Sequence, residues 1–153
     1  RQAASSPCRY PEPRRRMSLL LIGLCAVGVL ISLYFTGIAF RWIRPDSHWI
    51  PVICRMEEET CAAIVFTPSA RVLGPPNSLL GLFFYFLLGS ATVSCSLSVP
   101  LVRLASLSGS CAALVLSLYL GYSLLFVVRV NCILCFTTHI INLILFVLLI
   151  LRP

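Results

Sequence analysis

The sequence predicts an all-α integral membrane protein, a four-transmembrane-helix bundle with one outer loop on the luminal or periplasmic side. Three observations carry that expectation. Of 153 residues, 59% are hydrophobic and 11% charged, and the mean hydropathy is +0.96, well beyond a soluble domain, which is roughly half apolar. The apolar residues gather in four runs, 17–40, 78–99, 104–128 and 132–151, all without Asp, Glu, Lys or Arg. Each reaches the ~20 residues that a helix needs to cross a ~30 Å hydrocarbon core. The runs also lack the period-2 alternation of an outer-membrane barrel, whereas helices satisfy every backbone polar group within each span.

Taken in order, residues 1–16 form a tail that ends in Arg14, Arg15 and Arg16, a cluster that favours a cytoplasmic N-terminus. The run 17–40 exceeds the 7 to 15 residues of a secretory signal core, so it is read as a span. Residues 41–77 are the one sizeable polar segment and form the outer loop. The second and third spans are separated by a turn at 100–103, and the third and fourth by a turn at 129–131. Residues 152–153 close the chain, leaving a single four-span domain over 17–151 with both ends on one side. The net charge is +7, with twelve Arg and no Lys. These cations are scattered or terminal rather than gathered beside stacking aromatics, so no nucleic-acid role is expected and membrane lipid is the expected surroundings.

This topology sorts the eight cysteines. Cys54 and Cys61 fall in the outer loop, and Cys132 and Cys135 at the outer mouth of the fourth span, in an oxidising compartment. Cys25, Cys95 and Cys111 lie within spans and read as small packing residues, and Cys8, in the cytoplasmic tail, carries no signal. Asn131 precedes Cys132-Ile133-Leu134-Cys135 and suits the N-cap of the last helix. At a helix start the dipole and free N–H groups stabilise a thiolate, the reactive form in disulfide exchange. A thiolate of one pair can attack a disulfide of the other, passing electrons between loop and membrane. Two blander readings compete: a structural loop disulfide, and a four-thiolate zinc site, which the six residues between Cys54 and Cys61 fit poorly. No metal and no tightly bound cofactor is expected.

Steps of three and four stack Cys132, Cys135, Thr138, His139 and Asn142 on one stripe of an otherwise apolar helix. Intramembrane polar groups tend to face a bundle interior or pocket, so the stripe predicts a cavity running inward from the dithiol. His139 lies on the order of 10 Å below Cys132; packing against a neighbouring helix is its alternative role. On the second span, Asn77 is either a simple N-cap or a polar group near the outer interface. Gly81 and Tyr85 follow on the same face, the glycine permitting close approach and the hydroxyl requiring a partner. Such a pocket suits an apolar two-electron acceptor dissolved in lipid, and quinones have those properties.

These residues together resemble the vitamin K epoxide reductase family. The resemblance runs from Cys54 to Asn142 and rests on Cys54/Cys61, on Asn77-Ser78 with Gly81 and Tyr85, and on the segment Cys132-Ile133-Leu134-Cys135-Phe136-Thr137-Thr138 followed by Asn142. It implies a four-helix bundle around a quinone or quinone epoxide, in the endoplasmic reticulum membrane with a luminal site or in the bacterial inner membrane with a periplasmic one. It further implies that Cys135 stands nearest the substrate ring, that Cys132 exchanges with Cys61, and that Cys54 exchanges with a thioredoxin-fold redox protein. The sequence departs from the animal enzymes in three ways. His139 stands where they have Tyr, 15 residues separate Cys61 from Asn77 as in the shorter loop of bacterial members, and Arg55 and Glu57-Glu58-Glu59 lie between the loop cysteines. The competing expectation is a non-enzymatic four-span structural or adhesion protein, its loop stapled by Cys54 and Cys61 and anchored by Trp42 and Trp49.

Overall fold

The computed structural model describes residues 12–42, 63–72, 74–129 and 132–152, and the regular structure among them is entirely helical. Helix α1 spans Glu12–Ala39, beginning ahead of the apolar run because Pro13 is tolerated in a first turn. The exposed pair Glu12 and Arg16, 4.0 Å apart one turn on, contributes little. At its other end Arg41 takes the left-handed conformation (φ 59°), and the N–H groups of Arg41 and Trp42 return to the carbonyls of Ile38 and Gly37. That is a Schellman ending, which satisfies carbonyls otherwise left without donors.

Helix α2, Asn77–Val93, is shorter than the expected second span. Its 17 residues rise about 26 Å, after which Cys95 turns left-handed (φ 58°) and a 3-10 turn follows at Ser96–Ser98. Hydroxyls explain the stop: Ser90, Thr92 and Ser94 all bond back to α2 carbonyls, a local competition that weakens helix propagation. The expected turn at 100–103 is instead helical. Pro100 occupies the first turn of α3, Pro100–Tyr122, where its missing N–H costs nothing. α3 runs on into a π-helix at Ser123–Val128 and ends at left-handed Arg129. Helix α4 is Ile133–Leu151. Three stretches, Arg14–Ala39, Pro100–Val128 and Ile133–Leu151, are long and apolar enough to cross a membrane, and α2 is a shorter apolar helix.

α1 and α2, and likewise α3 and α4, run antiparallel, as their contacts record. Along the α1–α2 seam Thr36 donates to Ser78 at 3.1 Å, Ser32 faces Gly81, Gly28 faces the Tyr85 ring and Cys25 faces Gly89. Gly28 has no substitute here, since a Cβ would sit 2.7 Å from the aromatic ring. Between α3 and α4, Ser117 meets Asn142, and at the far end Arg103 donates to the carbonyl of Arg152. α1 also packs on α4, while α2 and α3 touch far less than α1 and α2 do. Leu21, Phe35, Leu88, Leu124 and Leu145 are buried between the helices, whereas Leu30, Phe86, Leu101, Leu118 and Ile150 point outward. An apolar outer surface of this extent is what a bilayer covers.

The reading of the in-span cysteines as packing residues holds for Cys25, which is 2% exposed. Cys111 is exposed on α3. Cys95 lies beyond the end of α2 and is disulfide-bonded, so it is no helix-packing residue. The early stop of α2 places it outside the helix.

Candidate functional site

A cavity of about 460 Å³ opens among the four helices at the end where α1 finishes and α4 starts. Two 3-10 turns, Ala63–Phe66 and Pro68–Arg71, lie over it, with Val65, Thr67 and Ala70 on its wall. The wall is mostly apolar, with Phe84, Leu120 and Leu124 prominent, and a few polar groups converge on it. Such a lining suits a largely hydrophobic ligand oriented by a small number of hydrogen bonds.

The dithiol pair stands at the start of α4. Cys132, rather than Asn131, is the N-cap, and its sulfur accepts from the Cys135 N–H at 3.3 Å. Asn131 lies outside the described residues. Cysteine can take the cap because sulfur is a weak acceptor and the backbone here is extended (φ −98°, ψ 104°). Cys132 is completely buried, whereas Cys135 is partly buried and reaches the cavity wall. Cys54 and Cys61 lie outside the described residues.

The six residues expected from the sequence to bind substrate all line this one cavity: Asn77, Gly81, Tyr85, Thr138, His139 and Asn142. Their chemistry differs. Thr138 donates its hydroxyl to the Cys135 carbonyl at 2.7 Å, so its hydrogen is committed within its own helix. His139 stands edge-on to Phe136 with ring centroids 6.4 Å apart, and neither of its buried ring nitrogens has a partner among the described residues. Gly121 on α3 leaves room for the imidazole, whose Cδ2 would lie 3.9 Å from an added Cβ. Buried polar atoms without partners are rare and expensive, and this imidazole lies at the cavity wall. Asn77 is the first residue of α2, with Pro76 in the cap position, which decides against the N-cap reading. Its side-chain carbonyl oxygen is buried at the wall.

Tyr85 and Asn142 engage one another. The Tyr85 hydroxyl donates to Asn142 Oδ1 at 2.7 Å, and Asn142 Nδ2 donates to Ser117 Oγ at 2.7 Å, joining α2, α4 and α3. Gly81 brings α2 close to α1, since a Cβ there would lie 3.0 Å from Ser32 Oγ.

Sequence reasoning missed Ser117, Ser32 and the wall supplied by α3. A signal existed in Gly109, Ala113, Ser117 and Gly121, small residues every fourth position along the third span, a spacing that marks close helix approach in membranes. Compared with models of protein families, residues 19–150 match that of the vitamin K epoxide reductase family.

Proposed function

Since the chain belongs to the vitamin K epoxide reductase family, a multi-pass membrane protein of thiol:quinone oxidoreductase type, we propose that it reduces a lipid-soluble quinone or quinone epoxide with the Cys132/Cys135 dithiol. The observation that carries this reading is Cys135 at a helix start, opening on an apolar cavity in which the His139 nitrogens have no partner among the described residues.

Oxidation of the two thiols to a disulfide releases two electrons and two protons. A quinone takes them up to become the hydroquinone; an epoxide takes them up to become the quinone and water. A Cys135 thiolate attacks the ring, and Cys132 then displaces the ring from Cys135 by forming the disulfide. His139 hydrogen-bonds the substrate oxygen on which negative charge develops, a role for a positioned donor. Asn77, on the same wall, is a second polar contact for the ring. The spent disulfide is restored by exchange, Cys61 attacking Cys132, and the resulting Cys54/Cys61 disulfide is reduced by a thioredoxin-fold protein through Cys54. Run backwards, the same relay makes disulfides in client proteins. The active site faces the endoplasmic reticulum lumen or the bacterial periplasm, where thiol exchange of this kind operates.

The test is turnover of purified protein with dithiothreitol as reductant and vitamin K epoxide, vitamin K quinone or a respiratory quinone as acceptor. Cys132→Ala and Cys135→Ala are each expected to abolish turnover with every acceptor. Full activity of Cys135→Ala removes the dithiol from the reaction, and wild-type protein inert towards all three acceptors removes the function.

A further inference from the structure

Cys95 is disulfide-bonded, and the relay described above gives it no task. Cys25, Cys111, Cys132 and Cys135 are free thiols, so within the chain its partner is Cys8, Cys54 or Cys61. Position selects among the three. Helix α2 starts beside the cavity, where Ser78 meets Thr36, and its 17 residues carry the chain about 26 Å away before Cys95 turns left-handed. Cys61 stands two positions ahead of Ala63, the first residue of the 3-10 turn over the cavity. Two extended residues reach about 7 Å and a disulfide spans about 6 Å more between Cα atoms, well short of the far end. Cys54, nine positions ahead of Ala63, has the length. Its chain would have to lie along the outer face of the bundle, with Arg55, Glu57, Glu58 and Glu59 in the hydrocarbon, where charges are expensive.

Cys8 belongs to the correct end. Cys25 lies beside Gly89, and because α1 and α2 run antiparallel, α1 continues past the level of Cys95 by about 10 Å to its first residue, Glu12. Cys8 precedes Glu12 by four positions, a reach of about 14 Å before the disulfide span is added. A tail that turns back at Glu12 brings the two sulfurs together. We propose that Cys8 and Cys95 form a disulfide that clasps the N-terminal tail to the turn between α2 and α3, at the end of the bundle away from the Cys132/Cys135 dithiol. Leu97, two residues on, is 3% exposed, so the clasp ties the tail to a turn seated in the core. It forms when the two thiols lose two electrons and two protons to a low-molecular-weight disulfide such as oxidised glutathione, which leaves as two thiols, and it opens by the reverse exchange. The cluster Arg14, Arg15 and Arg16 favours a cytoplasmic tail, and disulfides in that compartment are transient and redox-sensing. The clasp therefore reads the thiol poise on the side of the membrane opposite the relay, independently of which acceptor the cavity takes.

The experiment uses the full chain in detergent, equilibrated with oxidised or with reduced glutathione, blocked with N-ethylmaleimide, digested and mapped by mass. In oxidised glutathione the expected product is a linked pair of peptides carrying Cys8 and Cys95, from a protein that remains a single chain on a non-reducing gel. In reduced glutathione both cysteines should be recovered alkylated. The thermal unfolding midpoint should be higher in the oxidised buffer, and Cys8→Ser and Cys95→Ser should each narrow that difference by about 5 °C. Cys111→Ser, which removes an exposed free thiol, should leave both the linked peptides and the difference unchanged. Cys95 found linked to Cys54, to Cys61 or to a second chain, or alkylated in the oxidised buffer, overturns the pairing. A midpoint difference as large in Cys8→Ser as in the unsubstituted protein overturns the clasp, and a Cys8–Cys95 bond that survives reduced glutathione overturns its redox sensitivity.

Discussion

His139 and Cys135 lie one helical turn apart on α4, yet they differ in what the fold has done with them. The backbone N–H of Cys135 is tied to the Cys132 sulfur, while both imidazole nitrogens of His139 are buried without a partner among the described residues. On the proposed mechanism the imidazole donates to a substrate oxygen and can also supply the proton that epoxide opening requires, a task harder for a tyrosine of much higher pKa. We expect His139→Tyr to retain most quinone reduction while lowering the ratio of epoxide to quinone turnover. His139→Leu should lose on the order of ten- to a thousand-fold in both, the range for removing one positioned donor or acid. Parallel steady-state rates with the two acceptors decide this. If His139→Leu leaves both rates unchanged, the imidazole serves only to fill space beside Gly121.

At the scale of elements, the α1–α2 seam fixes the cavity. Gly28 accepts the face of Tyr85 and Gly81 accepts Ser32, so the two helices approach as closely as backbone permits. The same ring that lies on Gly28 carries the hydroxyl that holds Asn142, which couples the packing of α1 to the position of side chains on α3 and α4. Gly28→Ala puts a methyl 2.7 Å from that ring, and overpacking of this kind costs about 1–3 kcal/mol. The variant should lower the thermal unfolding midpoint in detergent and weaken quinone binding together. An unchanged midpoint would mean that the seam has slack. Gly23 is the internal control, because nothing lies within 4 Å of the Cβ it would gain; Gly23→Ala should leave both measurements unchanged.

At the scale of the whole molecule, the proposed relay divides the work between the bundle and the outer loop. A small dithiol can reach the Cys132/Cys135 pair without the loop, whereas a protein reductant needs Cys54 and Cys61. Cys54→Ala and Cys61→Ala should therefore lose most activity with a thioredoxin-fold reductant and keep a substantial part with dithiothreitol. Equal loss with both reductants would contradict a two-stage relay. Trapping supplies an independent measurement: Cys135→Ala should accumulate a Cys61–Cys132 mixed disulfide, visible by mass after alkylation, and its absence would place the exchange elsewhere.

The four apolar runs, the dithiol at the start of the last helix and the stripe through His139 to Asn142 were legible from residue order, because hydropathy and helical periodicity are local properties. So were Asn77, Gly81 and Tyr85, by a shared spacing and by resemblance to a known family. The limits of the helices were less so: α2 stops at Val93 and α3 starts at Pro100, since hydroxyls bonding back to carbonyls outweigh apolarity that continues through the turn. Which polar residue meets which could be read only from the packed bundle. Tyr85 and Asn142 lie 57 positions apart and Asn142 and Ser117 lie 25 apart, and no spacing rule connects residues on different helices. The tertiary structure alone decided that Asn142 is held from both sides while the His139 nitrogens find no partner among the described residues, because that depends on how α2, α3 and α4 face one another around the cavity.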